Sequence, residues 1–139
     1  MECKTKEITV TLIQDQIVKT AVNENITELT LEGVDEVIAA TNKVYLSNDK
    51  PKVALICAPS FYIKKDVLKG YAANREVEAL AVAIVTPSFG SQIMGNLLLT
   101  LRGRVLALSN DKIEPSKVFR DEKKAIKWLL GHLGVAEER

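Results

Sequence analysis

The stretch from Ala79 to Ser88 constrains the fold of this chain most strongly, because seven aliphatic residues (Ala-Leu-Ala-Val-Ala-Ile-Val) are followed at once by Thr-Pro-Ser. A strand with one solvated face alternates apolar and polar residues, whereas a strand covered on both faces reads as a continuous apolar run. After Ser88 the apolar residues return to helical spacing. The pattern therefore predicts a buried parallel strand followed by the crossover helix of a βαβ unit, and so the α/β class.

The rest of the chain predicts an N-terminal β-hairpin followed by alternating helices and strands. Alternating residues over Glu7–Ile13, a Gln-Asp-Gln turn and an extended run over Ile17–Val22 indicate the hairpin. The elements predicted after it are a helix capped by Thr30, a strand over Lys52–Cys57, a helix over Lys64–Ala73, a strand over Leu80–Val85, a helix capped by Ser88, a strand over Lys117–Phe119 and a helix capped by Asp121. Residues 104–116 predict no element beyond a brief apolar run over Val105–Leu108.

Composition sets the outer limits of function. A chain of 139 residues is predicted to form one domain over residues 1–139. Its 19 basic and 18 acidic residues give a net charge of +1, so nucleic-acid binding is not predicted. No uncharged stretch reaches the roughly 18 residues of a membrane span, and the N-terminus has no apolar signal region. We therefore expect a cytoplasmic protein without integral membrane association.

The two cysteines fit that compartment. Cys57 ends an apolar strand, where it is predicted to be a small buried hydrophobic residue, and Cys3 lies in a polar N-terminal tail. Their separation suggests neither a disulfide nor a metal site.

The order of elements and two motifs resemble the SpoIIAA-like family of small bacterial proteins, which is related to STAS and SEC14 domains. The motifs are Val-Ala-Ile-Val-x-x-Ser before the third helix and Lys-Val-Phe-x-Asp-Glu-x-x-Ala-x-x-Trp-Leu, which begins at Lys117. The resemblance spans roughly residues 7–130. It implies a mixed five-stranded sheet with an N-terminal hairpin and about four packed helices, and roles from partner-switching regulation to the binding of apolar or nucleotide-like ligands.

The chain departs from the regulatory members of that family at the turn after the central strand. Anti-sigma-factor antagonists carry Asp-Ser-Gly there, with a serine that accepts phosphate, whereas this chain reads Cys57-Ala-Pro-Ser60-Phe. Ser60 has neither the adjacent acid nor the glycine. We therefore expect Ser60 to serve as a turn or capping residue instead of a phosphorylation switch.

The glycines at 90 and 95 have the spacing of a phosphate-binding loop, but the lysine that would contact phosphates is missing, since Asn96 and Leu97 follow. Nucleotide binding is therefore not predicted. Ser88, Gly90 and Ser91 still place small residues and N–H groups at a helix N-terminus, which is a candidate anion site. The alternative is an ordinary capped helix.

Catalytic and metal-binding signatures are not found in the sequence. His132 is the only histidine, and its place near a helix C-terminus predicts a surface residue that interacts with the helix end. The acidic residues show no ligand spacing. We therefore predict no enzymatic activity, no cofactor and no metal site.

Two groups of apolar residues are not accounted for by the predicted core of a monomer. Phe61-Tyr62-Ile63 follows the central strand at the edge where α/β ligand crevices form, which suggests a crevice lined by Phe61, Tyr62, Tyr71 and Phe89. The alternative is that these residues close the end of the sheet. The second feature concerns the third helix, whose apolar stripe runs from Ile93 to Leu101.

That stripe leaves Gly95, Leu99 and Arg102 on the outer face of the third helix, as a candidate homodimer contact. The alternative is that the run at 105–108 folds back over Leu99. Taken together, the sequence predicts a non-enzymatic, STAS-like protein-interaction or regulatory module, expected to be a homodimer with a further unknown protein partner. The alternative function is a binding protein or sensor for a small apolar, lipid-like ligand.

Overall fold

The computed structural model describes residues 1–73, 79–86, 88, 90–93, 95–97, 99–100 and 115–137, with residues 72–73 and 135–137 described by their backbone alone. The described residues form a mixed sheet of six strands, which are β1 (Glu2–Lys4), β2 (Ile8–Ile13), β3 (Ile17–Val22), β4 (Val53–Cys57), β5 (Val82–Val85) and β6 (Ser116–Phe119). The helices are α1 (Leu31–Tyr45), α2 (Lys65–Ala73), α3 (described over 90–93, 95–97 and 99–100) and α4 (Glu122–Glu137).

The strands lie side by side in chain order, antiparallel from β1 to β3 and parallel from β3 to β6. The predicted hairpin is β2 and β3, which pair from Ile8 opposite Val22 to Ile13 opposite Ile17. Gln14 and Asp15 close it with φ angles of 52° and 61°. These left-handed conformations suit residues in a tight hairpin turn.

The aliphatic run that indicated a buried parallel strand is confirmed as β5. Every residue from Ala81 to Thr86 is buried, and β5 pairs in parallel with β4 on one side and β6 on the other. A strand in this position has neighbours at both edges and helices on both faces, which explains the absence of polar alternation. The α/β class is therefore correct.

The predicted number of strands is wrong, because β1 adds a sixth. Residues 2–4 were interpreted as a polar tail, yet they pair with β2 and Cys3 packs against the core. A three-residue edge strand with exposed Glu2 and Lys4 is too short to show a period of two. Tertiary pairing, instead of local pattern, makes it a strand.

Two apolar clusters lie on opposite faces of the sheet. The α1/α2 core consists of Ile8, Val10, Val18, Leu29, Val34, Val37, Ala40, Val44, Tyr45, Ile63, Val67 and Leu68. The α4 core consists of Ile17, Val53, Leu55, Ala81, Ala83, Val85, Ala125, Leu129 and Leu133. The parallel strands advance in one direction across the sheet, and right-handed crossovers between such strands place their helices on one face. The other face is covered by α4, which follows the last strand.

Candidate functional site

The carboxyl ends of β4, β5 and β6 lie at one edge of the sheet, where α/β proteins most often bind ligands. The chain leaves β5 toward α3 and leaves β6 toward α4, on opposite faces. Neighbouring connections that diverge in this way are typical of a ligand crevice. The polar groups at this edge are therefore the first to consider.

Ser88 and Ser91 form a reciprocal cap at the start of α3. The Ser88 N–H donates to Ser91 Oγ at 3.0 Å, and the Ser91 N–H donates to Ser88 Oγ at 3.1 Å. Gly90 lies against the main chain, since a Cβ there would stand 3.0 Å from the Ser60 carbonyl oxygen. Ser88 is thus the predicted cap residue. Because the two serines already bind each other, the anion site at Ser88, Gly90 and Ser91 stays a prediction without added support.

The diverging connections are joined by a hydrogen bond from Arg120 Nη1 to Gln92 Oε1 at 2.7 Å. Thr86 adds main-chain and hydroxyl hydrogen bonds to the Phe119 carbonyl. These bonds connect β6 to β5 and α3 at the edge where a crevice was expected.

Three ionisable side chains meet on the α4 side of the same edge, and we call them the Lys19 cluster: Lys19, Cys57 and Glu122. Lys19 Nζ lies 2.8 Å from Glu122 Oε1, and the Cys57 thiol donates to the same oxygen at 3.7 Å. The hydrogen bond to Glu122 raises the pKa of Lys19. Burial raises the pKa of Cys57 to about 11, with Glu122 adding to the shift and Lys19 opposing it.

The chemistry of the Lys19 cluster is that of a neutral thiol. A thiolate is the nucleophilic form of cysteine, and a pKa of about 11 keeps Cys57 protonated at neutral pH. The prediction that Cys57 is a small buried hydrophobic residue needs correction, since Cys57 is half-buried and its thiol is hydrogen-bonded to Glu122. The sequence could not show this, because Lys19, Cys57 and Glu122 come from three separate elements.

The residues of the predicted apolar crevice are not brought together as one lining. Tyr62 is 68% exposed, whereas Phe61 and Tyr71 pack against the α1/α2 core. Among the described residues the buried Tyr71 hydroxyl has no hydrogen-bond partner, and burial raises its pKa, with a further contribution from Glu7. Phe89 lies outside the described residues. Phe61 and Tyr71 therefore fit the alternative in which this segment closes the core.

The predicted orientation of α3 is wrong at Gly95 and Ile93, whereas Leu97 of the predicted apolar stripe does pack against the α1/α2 core. Gly95 was placed on the outer face, yet it is buried, and a Cβ there would stand 2.8 Å from Thr86 Cγ2 and 3.1 Å from Ile84 Cγ2. Ile93, predicted to be buried, is 52% exposed, and Leu99 is half-buried. Gly95 lets α3 approach β5 closely, so it cannot serve a second subunit. Arg102 and the run at 105–108 lie outside the described residues.

The feature that the sequence did not single out is a groove on α4, lined by Lys124, Lys127, Trp128, Gly131 and His132. We call it the α4 groove, and it has a volume of about 480 Å³. The Trp128 ring stands 5.6 Å from the Phe119 ring and 4.5 Å from the His132 ring, centre to centre, and His132 meets it edge-on. His132 is thus half-buried against an aromatic ring, and the prediction that it interacts with the helix end is wrong, because α4 continues to Glu137 and its last turn contains no basic residue.

A helical signal for this groove was present in the sequence. Residues 124, 127, 128 and 131 share one stripe of a helix, since they are separated by three, four and seven positions. The stripe was not recognised because Trp128 was interpreted only as a residue at the border of the apolar side of this helix. Trp128 does contact that core, but it also lines the groove.

Comparison with known proteins gave no match to a family model, to a curated protein or to a solved structure. Within the described ranges, no group of three or more His, Cys, Asp or Glu side chains is placed to hold a metal ion. A search of the same residues finds no helix with the length and apolar character needed to cross a membrane.

Proposed function

We propose that this protein is a non-enzymatic protein-interaction or regulatory module with a STAS-like fold, and that the α4 groove is its docking surface. The likeness in fold rests on the hairpin, the β–α alternation that follows it and the closing pattern from Phe119 to Trp128. The α4 groove is the observation that carries the proposed function.

The composition of the groove favours a protein partner. Tryptophan is enriched among the residues that contribute most to protein interfaces, and its polar ring N–H suits a surface that is apolar but borders water. Lys124 and Lys127 flank the ring and would contact acidic groups at the rim. Exposed Leu130, at 39%, extends the apolar surface along α4.

The Lys19 cluster supports a binding role over a catalytic one. Its thiol is protonated at neutral pH, and its carboxylate and ammonium groups satisfy each other. The ion pair between Lys19 and Glu122 also joins β3 to the first turn of α4, the helix that carries the groove.

Site-specific photocrosslinking tests the proposal. The photoreactive residue p-benzoylphenylalanine would replace Lys127 in the groove or, as the matched control, exposed Lys69 of α2. We expect a defined protein adduct in cells from position 127, none from position 69, and loss of the adduct when Gly131→Leu is added. Equal labelling at the two positions, or no adduct at 127, would contradict the docking surface.

One observation favours the second function, an apolar-ligand carrier: within the part of the chain that the structure describes, the buried Tyr71 hydroxyl has no hydrogen-bond partner. A ligand next to Phe61 and Tyr71 would supply one. Native mass spectrometry of the purified protein distinguishes the two functions, because a carrier retains a bound small molecule. The interaction module is expected to show the mass of protein alone.

A further inference from the structure

The surface around the α4 groove is basic, although the chain as a whole is almost neutral. From residue 116 to residue 134 the sequence has five basic and two acidic residues, which leaves an excess of three positive charges, whereas the whole chain has a net charge of +1. The basic residues are Lys117, Arg120, Lys123, Lys124 and Lys127, and all of them are exposed. The positive charge of this chain is therefore concentrated on β6 and α4.

The two acidic residues of this segment are already bound. Asp121 Oδ1 accepts the Lys123 N–H at 2.8 Å, and Glu122 Oε1 lies 2.8 Å from Lys19 Nζ. Among the described residues, no carboxylate lies within ion-pair distance of Lys124 or Lys127. The two lysines of the groove are thus exposed cations whose counter-charge an acidic partner would supply.

The open space in the α4 groove depends on Gly131. A helical side chain leans toward the N-terminus of its helix and covers the turn before its own Cα, so a side chain at position 131 would lie over Lys127 and Trp128. Because residue 131 is glycine, that space is empty, and a Cβ there would meet nothing within 4 Å. The groove volume of about 480 Å³ leaves room for a large apolar side chain of a partner beside the Trp128 ring.

The Trp128 ring is held by two other rings. Its centre stands 5.6 Å from the centre of the Phe119 ring and 4.5 Å from that of the His132 ring. It therefore forms a fixed wall of the groove instead of a free platform on which a nucleic-acid base could stack. A net charge of +1 is also far from the strongly basic balance of nucleic-acid-binding domains. Both observations favour a peptide as the acidic partner.

We propose that the α4 groove binds an acidic peptide segment of another protein, with one large apolar side chain over Gly131 and carboxylates on Lys124 and Lys127. This inference rests on the proposed function, since it specifies the chemistry of the partner in the same groove. Residue 131 lies about 6 Å from Lys127 and about 10 Å from Lys124 along the helix axis. An extended segment covers these distances in about two and three residues, so its acidic residues are expected at those separations from the apolar one.

Selection from a random peptide library displayed on phage, with the purified full chain as bait, tests the inference. We expect the enriched peptides to share a large apolar residue with Asp or Glu two or three positions away. The same selection on Lys124→Glu with Lys127→Glu should lose this motif. The matched control is Lys65→Glu with Lys69→Glu on α2, which changes the net charge equally and should keep it. No enriched motif, or a motif without acidic residues, overturns the inference.

Trp128 reports the place of binding, because it is the only tryptophan in the chain. Titration with an enriched peptide that lacks tryptophan should change the emission of Trp128. The dissociation constant should rise at least about tenfold in Lys124→Glu with Lys127→Glu and in Gly131→Leu, and stay within about twofold of wild type in the α2 control. Binding that leaves the Trp128 emission unchanged lies elsewhere on the molecule and overturns the inference.

Urea unfolding checks that Gly131→Leu is folded. We expect no loss of stability, since leucine is a better helix former than glycine and position 131 faces open space. A short oligothymidylate serves as the competing ligand. If it binds to the groove more tightly than every selected peptide, the partner is a nucleic acid and the inference is overturned.

Photocrosslinking from position 127 separates this inference from the proposed function. A protein adduct that is unchanged when Lys124→Glu is added overturns the acidic segment and leaves the docking surface intact. Loss of the adduct in that background, with the adduct kept when Lys69→Glu is added instead, supports both. The absence of any adduct from position 127 contradicts the docking surface itself.

Discussion

At the scale of single residues, Glu7 shows how a charged side chain can be built into the core. It is only 5% exposed, and its carboxylate accepts hydrogen bonds from the Thr30 N–H at 3.1 Å and the Thr30 hydroxyl at 2.7 Å. Thr30 in turn accepts the Gly33 N–H as the N-cap of α1. A negative charge at a helix N-terminus is favourable, so Glu7 links β2 to α1.

The effect of replacing Gly33 by alanine is predicted to depend on Glu7. Alanine would ordinarily stabilise a helix position by about 1 kcal/mol relative to glycine, but a Cβ at 33 would collide with the Glu7 carboxylate. Gly33→Ala should therefore lower the free energy of unfolding by about 1–2 kcal/mol in wild type, measured by urea titration. In a Glu7→Ala background the same change should be neutral or stabilising. Equal effects in both backgrounds would show that the two positions are not coupled.

Cys57 is predicted to react unusually slowly with alkylating reagents. In a Cys3→Ser background, the rate with iodoacetamide should rise about tenfold per pH unit past pH 9, because burial raises the pKa of Cys57 to about 11 from an ordinary value of 9.0. The raised pKa also makes the free energy of unfolding depend on pH. Because the folded state favours the neutral thiol, the contribution of Cys57 to stability is complete below pH 9 and falls as the pH rises toward 11.

Glu122→Gln is the matched variant for the thiol. It removes a negative charge that raises the pKa of Cys57 and leaves Lys19, which lowers it. Alkylation at pH 8 should therefore be faster than in wild type. A rate that reaches a plateau near pH 9, or no change in Glu122→Gln, would contradict the arrangement of the Lys19 cluster.

At the scale of elements, α4 is held by a cap at one end and by packing along its length. Asp121 Oδ1 accepts the Lys123 N–H at 2.8 Å, and Leu129 is fully buried in the α4 core. Asp121→Ala should lower the free energy of unfolding by about 1 kcal/mol, and Leu129→Ala by about 2–5 kcal/mol, in urea titrations. Asp121→Ser keeps a capping oxygen and should stay near wild type. Equal, negligible losses would contradict both roles.

The α3 helix illustrates why a sequence pattern can predict a helix correctly and still predict the wrong side of it to face the sheet. Its sequence carries a large apolar residue, Leu99, outside the predicted stripe as well as Ile93 and Leu97 within it, so periodicity alone does not fix which side faces the sheet. The sheet needs a close approach over Ile84 and Thr86, which only a small residue allows. Packing against β5 therefore sets the orientation of α3 through Gly95, and larger residues such as Ile93 turn outward.

At the scale of the whole molecule, the two faces of the sheet are covered unequally. α1 and α2 cover the face over β2 and β3, whereas α4 covers the other face mainly over β4 and β5. Thr9, Thr11 and Lys19 alternate with the buried residues of β2 and β3 on the α4 side, so that part of the face is polar. The α4 groove lies on that side, with the Trp128 ring between two lysines, and it is where we place the docking surface.

The sequence by itself determined the α/β class, the hairpin, the buried run of β5 and the caps Thr30, Ser88 and Asp121, because each of these depends on local pattern or on hydrogen bonds within a few residues. Only the tertiary structure decided that residues 2–4 form a strand, that Gly95 faces the sheet, and that Lys19, Cys57 and Glu122 meet. It also decided that Trp128 lines a groove while it contacts the core. These depend on contacts between residues distant in the chain, whose partners a local pattern does not specify.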